Sequence, residues 1–352
     1  MMHLIVFDLR KRFRYFLLLL MVPTFLQAQE VPVRVVADPG NRIVTITAGG
    51  KPFTTFMYPD TLEKPVLYPI YASDEQLITR GFPLKPRPGE PVDHPHHVGL
   101  WFNYENVNGL DFWNNSYAIP AAKKSQYGWI HTDKVTTAKN SLTFDARWTN
   151  QAGSTLLKEH TVYIFHATKS ERIIDRITTL TAVTDVSFPD AKDGLLGLRV
   201  TKELQIPSNT PGQFVDDKGN ITKVAAGNTP DINGNYITSE GKSGDYAWAT
   251  RGKWCMLYGK KQNDTLSVVI IDYPGNPGYP TYWHARGYGL FAANPLGEKI
   301  FSKGAETLNF HLAKGQSANF HYRIVIAAGN HRLSTDRINT LTEEGLKAPG
   351  NR

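Results

Sequence analysis

The chain has 352 residues, 41% of them hydrophobic and 20% charged, with a formal net charge of +7 and one cysteine, Cys255. A lone cysteine excludes an internal disulfide, so a packed core must hold the fold, and the length suits one large domain or two small ones. Arg10, Lys11, Arg12 and Arg14 against Asp8 supply +3 of the charge within residues 1–28, which leaves +4 beyond them and, with no basic runs, argues against nucleic-acid binding.

Residues 1–28 have the layout of an export signal: the basic cluster, an apolar stretch from Tyr15 to Leu26, and Ala28 as a small residue near a cleavage point. The apolar stretch is shorter than the ~20 residues of a bilayer span, and Pro23 interrupts it. A signal anchor is the other reading. No later segment is long and apolar enough to span, so a periplasmic or secreted chain is expected, with residues 29–352 as a single β-sandwich domain.

The first chemistry-bearing stretch is Asp93-His94-Pro95-His96-His97, led in by Pro83, Pro86, Pro88 and Pro91. Prolines stiffen the approach, and imidazoles at its end can accept a proton, donate one or bind a metal. From His97 the alternation predicts Val98, Leu100, Phe102 and Tyr104 on a core face, with His97, Gly99, Trp101 and Asn103 opposite. Asp111-Phe112-Trp113 follows. Leu142, Phe144, Ala146 and Trp148 alternate with polar residues, and longer strands are expected near 156–167 and 172–182.

At 194–204 the same rule puts Leu196, Leu198 and Val200 inward and Arg199, Thr201 and Glu203 outward. Arg199 and Glu203 would then flank a ligand roughly 13 Å apart, with Glu203 a general base if burial raises its pKa. A cross-strand surface ion pair is the competing reading. The Gly-, Asn- and Asp-rich segment 207–245 suggests a rim loop over a cleft. The apolar run 266–272 suits a strand covered on both faces. A Pro/Gly turn then leads to Tyr282, His284 and Arg286 on one face, a set suited to a hydroxylated or anionic ligand. Ala318, Phe320, Tyr322, Ile324 and Ile326 share a face. Only 331–346 looks helical, with Ser334 as N-cap and Ile338 and Leu341 inward. These elements predict an all-β fold, a large antiparallel sandwich with a short C-terminal helix.

The stretches 94–113 and 279–297 resemble the PmoA-like family of exported bacterial proteins. The residues that carry the likeness are His94-Pro95-His96-His97-Val98-Gly99-Leu100-Trp101 and Val107-Asn108-Gly109-Leu110-Asp111-Phe112-Trp113. A later set is Tyr279-Pro280-Thr281-Tyr282-Trp283-His284-Ala285-Arg286 with Tyr288-Gly289-Leu290-Phe291-Ala292-Ala293-Asn294-Pro295. Val98 departs from the arginine expected there. A methane oxygenase subunit would need several apolar spans, which this chain lacks beyond its leader. The resemblance implies a galactose mutarotase-like supersandwich, which handles sugars with histidines and carboxylates on a concave face.

The expected function is an exported carbohydrate-active enzyme: a hydrolase, lyase or epimerase working by proton transfer on a sugar or oligosaccharide. His96 or His97 would act as acid or base, with His284 or Glu203 opposite. Arg199 and Arg286 would hold polar groups, Trp101, Trp113 and Tyr282 would stack on sugar faces, and His94, Asp111 and Asn294 would complete the substrate contacts. No cofactor is implied. The alternatives are a non-catalytic glycan-binding protein and a metal-dependent enzyme using His94 and His96 with His97, Asp111 or His284.

Overall fold

Strands dominate the computed structural model, which describes Met1 and residues 29–208, 211–215, 220–224 and 231–347. The expected leader thus lies outside the described residues, apart from Met1. Hydrogen bonding gathers the main strands into two eight-stranded antiparallel sheets. The front sheet runs Val33–Asp38, Ile43–Ala48, Lys51–Met57, Val66–Ile70, Leu100–Tyr104, Gly194–Arg199, Leu290–Asn294, Tyr282–Arg286. The back sheet runs Asn235–Thr238, Trp254–Lys261, Asp264–Asp272, Ser317–Gly329, Glu171–Ala182, Thr155–Ala167, Ser141–Thr149, Trp129–Ala138. This is the antiparallel β-sandwich with a short C-terminal helix that the patterning predicts.

Alternation settles which residues fill the space between the sheets. Leu142, Phe144, Ala146 and Trp148 from the back sheet, with Ala318 to Ile326 at every second position, meet Leu100, Phe102, Leu196, Leu198 and Phe291 from the front. Phe102 sets its ring edge-on to Phe320 at 5.6 Å. Each large apolar side chain buried this way contributes roughly 1.5–3 kcal/mol. One ion pair sits among them. Arg176 bonds Glu159 at 2.5 Å, and Trp148 Nε1 and Thr161 Oγ1 donate to the same carboxylate.

The strand Asp264–Asp272 is buried on both faces for the expected reason. Val268 and Ile270 face the core, while Val269 and Ile271 lie under the helix Thr335–Leu346. Ser334 caps that helix by accepting from the Arg337 N–H, and Ile338 and Leu341 pack inward. Arg323, paired to Asp175 at 2.7 and 2.8 Å, donates to the Leu341 carbonyl and fastens the helix to the sheet.

Two local expectations are corrected. The strand after the histidines begins at Leu100, because Gly99 takes φ +59°, a conformation costly for other residues, and a Cβ there would meet the Leu67 carbonyl at 2.2 Å. That turn flips the parity, so Val98 joins Trp101 and Trp113 on the outer face of the front sheet and not the core. Segment 207–245 is only partly loop. Gly212–Val215 pairs with Ile221–Val224 as a hairpin, and Asn235–Thr238 forms the edge of the back sheet. The hairpin touches the histidine loop, since Val92 N–H donates to the Gln213 carbonyl. Residues 209–210, 216–219 and 225–230 of the expected rim loop lie outside the described residues.

Candidate active site

Strand register brings the early and late motifs onto one surface. Trp101 lies opposite Gly197, Gly197 opposite Ala292, and Ala292 opposite His284. These four form a row across the outer face of the front sheet, about 14 Å long at the usual strand spacing. The next row holds Arg199, Leu290 and Arg286. The Trp101 and Trp113 indoles fill the space over Gly197, Ala292 is buried beside them, and imidazoles stand at both ends.

At one end Asp93 organises the cluster. Its Oδ1 accepts from Arg80 at 2.7 Å and Arg199 at 2.6 Å, and its Oδ2 pairs with His94 Nδ1 at 2.5 Å. Burial pulls its pKa up, but the His94 bond and the two guanidiniums hold it well below the usual carboxylate range. A carboxylate held ionised can only accept, so His94 Nδ1 carries the hydrogen and a neutral His94 offers Nε2 as a proton acceptor. His97 has the opposite polarity. Arg199 Nη1, always a donor, lies 3.2 Å from His97 Nδ1, so Nδ1 accepts and Nε2 carries the hydrogen. Burial, with the charges of His96 and Arg199 nearby, pushes the His97 pKa well down and keeps the ring neutral. The His94, His97 and Tyr288 rings are parallel, with His94 4.8 Å from His97 and 5.0 Å from Tyr288.

Beneath this cluster two cations hold the backbone. Arg80 is fully enclosed and donates to the carbonyls of Pro91, Asp93, His94 and His97 besides the Asp93 carboxylate. The loop is in effect wrapped around one guanidinium, with His94 held at φ +46°. Lys64 donates to the His96 carbonyl at 2.9 Å, and burial lowers its pKa to about 8.

At the other end stands a second carboxylate–imidazole pair. Asp193 Oδ1 is 3.5 Å from His284 Nδ1. Burial raises the Asp193 pKa to about 6, helped by Glu105 and Asp111 and opposed by Lys192. Burial lowers the His284 pKa to about 3, with the Lys192 and Arg286 charges acting the same way. The His94 ring, stacked on His97 over Trp101, and His284 thus stand at opposite ends of one row.

Several expected contacts do not form there. Glu203 sits in a 3-10 turn, Lys202–Leu204, beyond the end of the strand, so the alternation that placed it beside Arg199 fails. It pairs with Lys261 at 3.3 Å in a separate hollow of about 480 Å³ lined also by Gln76, Arg87 and Glu90. Burial pulls its pKa up, but Lys261 and local hydrogen bonds outweigh that and leave it lowered. Trp101 and Trp113 are completely buried under His97, 5.2 and 5.9 Å from its ring, and offer no face to a sugar. Tyr282 is buried as well, stacked on Phe301, with its hydroxyl on Glu306 and Arg251 over its ring. Asn294 spends its amide on the Ala191 and Lys192 carbonyls and thereby positions Asp193. Asp111 accepts from the Asn114 N–H and side chain and shapes a turn. His96 meets His97 edge-on at 4.3 Å, and burial holds its pKa far down.

Pattern reading missed Asp193, Arg80, Asp93, Lys64 and Tyr288. Asp193-Gly194 at the mouth of a strand was a usable signal for the first, and arginine among the apolar residues Ile78 and Phe82 for the second. Among the described residues no three of His, Cys, Asp and Glu converge as a metal site, and no helix is long and apolar enough to cross a membrane.

The fold and site thus define an antiparallel sandwich with two carboxylate–imidazole pairs on one outer face. The chain belongs to the family described as "Family of unknown function (DUF6807)", which matches residues 43–343. This corrects the PmoA-like resemblance, which rested on short motifs at two strand mouths; such motifs mark a local geometry and not a lineage. No curated protein matches the chain. Solved structures similar to it include the galactosidase domain of an alpha-galactosidase–sucrose kinase, at 8% identity and TM-score 0.37 over 84% of this chain. The chain spans 42% of that protein. A galactose mutarotase-like protein from Clostridium acetobutylicum is similar at 11% identity and TM-score 0.39, over 86% of this chain and 99% of its own. A galactose mutarotase related enzyme from Lactobacillus acidophilus is similar at 10% identity and TM-score 0.32, over 84% and 97%.

Proposed function

We propose that the chain is an exported enzyme that moves protons on a carbohydrate. The observation that carries this is the placement of two carboxylate–imidazole pairs, Asp93–His94 and Asp193–His284, toward the two ends of the Trp101–Gly197–Ala292–His284 row on one sheet face. A hydroxylated ring bound between these pairs would meet an acceptor at His94 Nε2, a donor at His97 Nε2, and a carboxyl at Asp193 able to change protonation near neutrality. Two titratable pairs in different environments are what acid–base catalysis at opposite faces of a substrate needs. His94 and Asp193 take the roles first given to His96 and Glu203. Arg199 shares the Asp93 carboxylate with Arg80 and is buried, so it orients His97 without reaching for substrate.

The test is incubation with mono- and oligosaccharides in deuterated water, read by NMR for deuterium entering sugar carbons and for new products. His94→Gln and Asp193→Asn should each lower turnover by about 10²–10⁴-fold while the protein still melts cooperatively. With Asp193 as the base, kcat/KM rises with pH through about 6 as it loses its proton; a flat profile from pH 5 to 7 removes it from the chemistry. Saturable binding with neither exchange nor product would make this a glycan-binding protein instead. Export is checked by the N-terminus of chain recovered from periplasm or medium, expected near residue 29.

A further inference from the structure

We infer that the substrate carries a carboxylate, held by Arg286. This rests on the proton-transfer reading above and specifies the class of sugar, a uronate or other sugar acid. Arg286 is half-buried, and among the described residues its guanidinium has no ion pair and no hydrogen-bond acceptor. Every other buried or half-buried arginine among them donates to a carboxylate or carbonyl. None of the Arg286 nitrogens is among the buried atoms without a partner, so they meet solvent and an incoming anion can reach them.

The surroundings fix what that ligand can be. The guanidinium lies 5.4 Å from the Trp248 ring centre and 5.8 Å from that of Tyr288. Aromatic neighbours restrain its plane and leave the forked N–H edge free, the geometry that binds a carboxylate through two parallel bonds. Paired hydroxyls would fit the fork but leave its charge uncompensated. Arg199, in the same row, already has Asp93, so among the described residues of this row Arg286 is the cation without a partner. It sits one same-face step along the strand from His284, about 7 Å, a separation that a pyranose ring can bridge. A sugar acid anchored there would bring its ring toward the two acid–base pairs.

The experiment compares matched probes: galacturonate against galactose and glucuronate against glucose, free and as methyl glycosides. Binding to the full chain is measured by calorimetry at low and raised salt. The acids should bind about tenfold or more tightly than their neutral partners, with a gap that narrows as salt rises. Arg286→Gln should erase the gap and Arg286→Lys should shrink it, both with melting temperatures near that of the parent. Equal binding of acid and neutral probes, a gap that survives in Arg286→Gln, or no uronate binding would each overturn the inference. Turnover of neutral sugars that needs His94 and Asp193, without acid preference, would sink the carboxylate and spare the enzyme. Arg286-dependent uronate binding without exchange or product would do the reverse.

Discussion

Replacing Arg80 by methionine tests how the histidine loop is held. The methionine fills most of the volume but removes a guanidinium that serves four carbonyls and the Asp93 carboxylate from a fully enclosed position. Breaking a buried pair from one side costs about 3–5 kcal/mol, and each buried carbonyl left without a donor about 1–3 kcal/mol. Asp93 discounts this, because it keeps Arg199 and His94 and about a third of its side chain (36%) meets solvent. The His94 carbonyl keeps the His97 N–H, but three carbonyls lose their donor, so the expected loss is at least about 3 kcal/mol. Urea unfolding with an unchanged slope would measure it, and hydrogen exchange should show faster opening of residues 91–99 with the back sheet unaffected. Arg80→Lys should recover only part, since one ammonium cannot reach all five acceptors. A loss under about 1 kcal/mol with unchanged exchange would show that the loop is held by something other than this guanidinium.

Two further outcomes follow from packing and burial. Gly197→Ala would set a Cβ 2.5 Å from Trp101 Cζ2 and 2.7 Å from Trp113 Cη2, both in buried rings, so a loss of about 1–3 kcal/mol and altered near-UV circular dichroism are expected. An alanine variant as stable as the parent would mean that the indoles yield freely. Asp272 is buried and forms no ion pair among the described residues; it accepts from Asn276 and the Thr281 N–H, and burial raises its pKa to about 7 against these bonds and the more distant Arg251 charge. The folded chain keeps this proton to higher pH than the unfolded one, so the Asp272 contribution to stability falls between about pH 4 and 7 and is flat above. Its carboxyl carbon should titrate near 7 by NMR; a midpoint below 5 would contradict this.

The repeating spacing of apolar side chains was enough to determine the sandwich. Leu142 to Trp148 and Ala318 to Ile326 enter the core as their alternation requires, 266–272 is covered on both faces, and Ser334 starts the C-terminal helix. The histidine cluster was visible too, as a composition that packing does not ask for. Such features depend on neighbours a few residues apart, and covalent order fixes those distances. The site depended on contacts that order does not fix. Asp93 meets Arg199 across 106 positions, Asp193 meets His284 between different strands, and Arg80 gathers a loop more than ten residues downstream. Trp101 and Trp113 were read as sugar platforms because their alternation shows a face, not its depth; only the loop folded over them buries both. Glu203 left its expected face when the strand ended at Arg199, and Val98 did so when Gly99 turned. Strand periodicity encodes direction along a chain. Which strands become neighbours, and which lone polar side chains then find partners, is set by packing and register in three dimensions.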